Sequence, residues 1–73
     1  MSTCQVFNIT NNSSEEVLEV QYTPCDTGIA AGYSVASGTL TMCSYAEPYI
    51  TSGEGSVKRV FDAELKGIGA PQS

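Results

Sequence analysis

Three cysteines, the serine hydroxyls, eight carboxylates and two lysines are the side chains to weigh first for attack on a substrate, proton transfer or metal ligation. A serine or cysteine nucleophile normally acts beside a base, most often histidine, and the chain has no histidine. Lys58 and Lys66 sit in a β-rich stretch and near the C-terminus, with no motif setting either beside a nucleophile, so both read as solvated charges. Glu15, Glu16 and Glu19 are the densest acidic cluster. On an extended strand Glu15 and Glu19 share one face and Glu16 takes the other, which assembles neither an acid–base pair nor a calcium loop. They read as a charged face guarding a strand edge. Cys4, Cys25 and Cys43 lack the paired C-x-x-C spacing of a zinc site. Gly28, Gly32, Gly38, Gly53 and Gly55 fit neither G-x-G-x-x-G nor the P-loop and read as turn residues. The expectation is a chain that is not an enzyme and has no catalytic residues, metal or cofactor.

What remains is binding chemistry and cross-linking. Tyr33, Tyr45 and Tyr49 fall in weakly patterned stretches, and tyrosine brings apolar area with a polar tip to interfaces, so these three are the candidate partner contacts. Core packing is the competing reading, since a small domain needs its aromatics. Cys4, Cys25 and Cys43 allow three different single disulfides, each leaving one thiol over, and they can equally all be buried thiols. The spacing leaves that choice open. Asn8, Asn11 and Asn12 each begin an N-x-[ST] triplet, but turn chemistry accounts for them adequately.

The 73 residues carry a net charge of −5. Lys58, Arg59 and Lys66 supply all the positive charge and lie together near the C-terminus. That is too few for a phosphate-tracking face, so nucleic acid is not expected as a partner. No apolar run approaches the roughly 20 residues of a membrane helix. Met1 leads straight into polar residues without the charged and apolar regions of a secretory signal, so synthesis in a cytoplasm is expected. At this length folding buries only about 60% of the extended chain's surface, and a staple or partner is needed to support the core.

The elements follow from alternation and turn residues. Cys4 to Thr10 is β-rich and stops at Asn11, Asn12, Ser13 and Ser14, and Leu18, Val20 and Tyr22 then alternate with Glu19 and Gln21. These two segments predict a hairpin. Pro24, Asp26 and Gly28 predict a second turn, and residues 29–35 a loop or short edge strand. In residues 39–44 Leu40 and Met42 form one apolar face, residues 49–51 make a short strand, and Val57 and Phe61 share a face of the last strand with Arg59. Residues 61–66 have at most one or two helical turns in them. The whole predicts an all-β fold, a small antiparallel sandwich or barrel of five to six short strands. One domain is expected over residues 1–66, with a flexible tail over 67–73.

Tyr22, Cys25, Asp26 and Gly28, followed by Val35, Gly38, Cys43 and Gly53 and preceded by Cys4, form a pattern that resembles small cysteine-containing β proteins of tailed bacteriophage virions, particularly those of Bacteroidota hosts. The chain departs from it in lacking a further cysteine near the end, which lowers the expectation of a disulfide. The resemblance implies a virion structural or assembly protein, such as a capsid decoration or a minor head or tail component. It would be made in the host cytoplasm and present in the mature virion, in contact with other virion proteins as many copies or as a homo-oligomer. The alternative expectation is a free-standing carbohydrate- or peptide-binding module that uses Tyr33, Tyr45 and Tyr49 as a stacking platform.

Overall fold

Alternation decides the strands, and the faces it creates decide how they stack. In the computed structural model, which describes residues 3–71, six strands follow in order: β1 (Gln5–Asn11), β2 (Leu18–Tyr22), β3 (Ala31–Val35), β4 (Gly38–Ser44), β5 (Tyr49–Ser52) and β6 (Gly55–Val60). On β2, Leu18, Val20 and Tyr22 are buried while Glu19 is exposed. On β1, Phe7 and Ile9 take the same inward face. The strands form two antiparallel three-stranded sheets, ordered β4-β1-β6 and β3-β2-β5. Their inner faces meet in a core of Phe7, Ile9, Leu18, Val20, Tyr22, Val35 and Met42. Each large apolar side chain fully buried there stabilises the fold by about 1.5–3 kcal/mol. The fold is thus an all-β sandwich, as the alternation predicts.

The expected hairpin between the first two strands does not form: β1 and β2 are the central strands of different sheets. Both carry their apolar residues on one face, and packing those faces against each other buries both sets, which edge-to-edge pairing would not. Asn11 fixes the crossing. Its buried Nδ2 donates to the carbonyls of Glu16 (2.8 Å), Val35 (2.9 Å) and Ala36 (3.2 Å), and its Oδ1 accepts from the Ser13 N–H. One side chain thereby ties the β1–β2 loop to the β3–β4 turn and closes that end of the sandwich.

The C-terminal segment also departs from expectation. Residues 61–66 are not helical; β6 ends in a turn at Phe61 and Asp62, with Asp62 at φ 57°. A segment this short does not nucleate a helix without docking. Residues 67–70, expected to be loose, run beside the outer edge of β4 as a strap. Ile68 bridges Met42 in parallel, its N–H donating to Thr41 O (3.2 Å) and its carbonyl accepting from Cys43 N (2.7 Å). Gly69 O accepts from the N–H groups of Cys25 (2.8 Å) and Asp26 (3.2 Å). Unpaired β4 edge groups favour any segment able to satisfy them, and Ile68 adds apolar contact with the core. Backbone hydrogen bonds thus tie residues 67–70 to β4 and to the turn around Cys25. Met1, Ser2, Gln72 and Ser73, the ends of the expected domain and tail, lie outside the described residues.

Candidate interaction surface

Where β1 begins and β6 ends, apolar residues occupy the outer face of a sheet. Val6 lies opposite both Cys43 and Val60, and Val6, Cys25 and Cys43 form a second buried cluster, packed by Cys4, Tyr45, Val60 and Ala70. Cys4 and Cys25 form a disulfide with a Cα–Cα distance of 6.0 Å. This joins the start of β1 to the turn after β2, and so one sheet to the other. The chain thus uses one of its three available pairings, despite the missing late cysteine. Cys43 is a free, fully buried thiol whose Sγ donates to Lys66 O (3.3 Å). Burial raises its pKa above the usual thiol value of 9.0.

Beside this cluster a groove of about 350 Å³ opens between the start of β1 and the residues after β6, and Val6, Arg59, Val60, Phe61, Asp62 and Leu65 all line it. The Arg59 guanidinium lies over the Phe61 ring, 4.5 Å from its centroid. Such a stack contributes about 0.5–1 kcal/mol at an exposed site and so biases the cation toward this position. Lys66 pairs with Glu64 at 2.9 Å, but both are exposed and the pair adds little stability. Sequence reading places Phe61 beside Arg59 on one face of the last strand, and that sharing is the signal from which this stack follows. Leu65 and the groove itself carry no such signal, because they depend on the turn that replaces the expected helix.

The three tyrosines do not gather into one platform. Tyr33, on β3, lies opposite the inward-facing Val20, while Tyr49, on β5, lies opposite Gln21 and is 62% exposed. These registers put the two on different faces of their sheet. Tyr45 is half-buried in the second cluster, and its hydroxyl donates to Cys25 O (3.3 Å), so it packs the disulfide. Glu19 projects outward from β2 and accepts from Ser34 Oγ (3.4 Å), whereas Glu15 and Glu16 lie in the loop before it. Their N–H groups donate to Ser13 Oγ at 3.2 and 3.0 Å. The acidic cluster is therefore divided between a capped loop and a strand face.

A large exposed apolar side chain lies on, or close in sequence to, each of the three outer strands not covered by the strap. Ile29 precedes β3 and is 71% exposed, Tyr49 opens β5, and Phe61 follows β6 at 70% exposed. Among the described residues β3 and β5 pair only with β2, and β6 only with β1. What these features define is a disulfide-tied antiparallel β-sandwich with three strand edges available for contact. No family model, curated protein or solved structure matches the chain.

Proposed function

We propose that the chain is a virion structural protein, a capsid decoration or minor head or tail component of a tailed phage, and that it works through protein–protein contacts. The observation that carries the reading is three strand edges that are unpaired among the described residues, with exposed Ile29, Tyr49 and Phe61 on or next to those strands in sequence. An open edge offers backbone donors and acceptors to an added strand, and an apolar side chain beside it gives that strand something to bury. A domain with so thin a core also gains stability from a repeated interface by mass action. The Cys4–Cys25 disulfide suits this setting, since a particle leaves the reducing cytoplasm in which its parts are made. Its partners are other virion proteins, present in many copies.

The test is sedimentation of the protein from its native source, with intact mass spectrometry under non-reducing conditions. Migration with a particle of megadalton size supports the reading. Migration as a free monomer, with no binding to any particle surface, overturns it.

A further inference from the structure

We propose that the chain also binds itself head to tail, the loop bearing Glu15, Glu16 and Val17 of one copy docking in the Arg59–Phe61 groove of the next. The inference rests on the assembly reading and names a second copy of this chain as one of its partners. The two surfaces lie at opposite ends of β1: the groove flanks its first residues, and the loop follows Asn11 at its far end. A contact between them is heterologous, and such contacts propagate into stacks or close into rings.

The loop is already shaped for the contact. Ser13 Oγ caps the N–H groups of Glu15 and Glu16, and Asn11 Nδ2 holds the Glu16 carbonyl, so little ordering entropy is lost on docking. Val17 stands 48% exposed beside the two carboxylates. Glu54 lies at the same end, its carbonyl accepting from Asn12 N (3.0 Å), and all three cations of the chain lie elsewhere. That end is thus an acidic rim around an apolar side chain.

The groove offers the complement. Val60, Phe61 and Leu65 give it apolar lining, and the Arg59 guanidinium lies over the Phe61 ring. Among the described residues no carboxylate forms an ion pair with Arg59. Asp62 also lines the groove. Its charge favours the register in which a carboxylate meets Arg59 and disfavours those in which it meets Asp62. Repulsion between two chains of charge −5 is screened beyond about 8 Å at physiological salt, which leaves the local match to decide. A loop-in-groove contact buries less than the roughly 1,200 Å² of a stable complex, so it is weak in solution and gains strength in a repeated array.

The experiment is sedimentation equilibrium of the purified, oxidised chain over a wide concentration range, with circular dichroism to check folding. The wild type should show a mass rising with concentration. Arg59→Glu and the double variant Glu15→Lys/Glu16→Lys should each associate at least about tenfold more weakly. An equimolar mixture of the two should recover association, because each loop then meets a groove of opposite charge. The double variant brings the net charge from −5 nearer neutrality, so nonspecific association would rise where this contact is lost. A wild type that stays monomeric, or a double variant that associates like wild type, overturns the proposal. Monomeric protein that still travels with a particle would remove the self-contact and leave the assembly reading intact.

Discussion

Cys43 lies on the face of β4 that its alternation with Leu40 and Met42 assigns to solvent, yet it is fully buried. The strap and the turn around Cys25 cover that face, and both are long-range contacts that no local pattern reveals. The burial has a consequence at alkaline pH. Desolvation raises the Cys43 pKa above 9.0. Desolvation first, then the charges of Asp26 and Tyr33, raises that of Tyr22 above 10.0. In both cases the folded state favours the neutral form. The contribution is therefore fully present below the unfolded pKa and is lost as pH rises through the folded value. Urea midpoints should fall from about pH 9 upward, first through Cys43 and then through Tyr22. In Cys43→Ala the decline should begin near the tyrosine value instead. A variant whose decline starts at the same pH as wild type would show that the thiol is not its source.

Among the elements, the strap is least legible in the sequence and the most open to perturbation. β2 and β4 could be read directly, because Leu18, Val20 and Tyr22, then Leu40 and Met42, keep a period of two against polar neighbours. The pairing of strands could not, because Asn11 reads as a turn residue whether it closes a hairpin or bridges two sheets. Its three acceptors lie on Glu16, Val35 and Ala36, the last two more than twenty residues away. Likewise Gly67 and Gly69 resemble a loose tail, since the close approach that requires glycine is to β4. Gly69 has φ +80°, and a Cβ there would meet Cys43 O at 2.7 Å and Pro24 Cβ at 3.0 Å. At Gly67, φ +98°, the clash would be with Thr41 O. Gly69→Ala should therefore lift the strap while leaving the sheets folded. A drop of roughly 1.4 kcal/mol in the cost of local opening raises the open population tenfold. The rate at which a thiol-specific reagent labels Cys43 should rise by about that factor or more, with the β-sheet circular dichroism unchanged. Unchanged labelling would mean that the strap does not protect the thiol.

The whole molecule depends on how two thin sheets are held face to face. At about 0.05–0.15 kcal/mol per residue, a chain of 73 residues has a net stability of roughly 4–11 kcal/mol. The Cys4–Cys25 bridge spans a sequence separation of 21. By the chain-entropy relation a loop of this size removes about 3 kcal/mol of unfolded-state freedom, a large share of that total. Its position strengthens the effect, because it ties the start of one central strand to the end of the other, on which the rest of each sheet is built. Reduction should lower the thermal midpoint by roughly 10–25 °C, from the 4–8 °C per kcal/mol typical of domains this size. Cys4→Ala/Cys25→Ala should reproduce the drop without reductant, whereas Cys43→Ala should keep its sensitivity to reductant because its bridge is intact. Calorimetry of the three proteins with and without reducing agent measures this. If reduction leaves the wild-type midpoint unchanged, the sheets are held by their apolar faces and the strap alone.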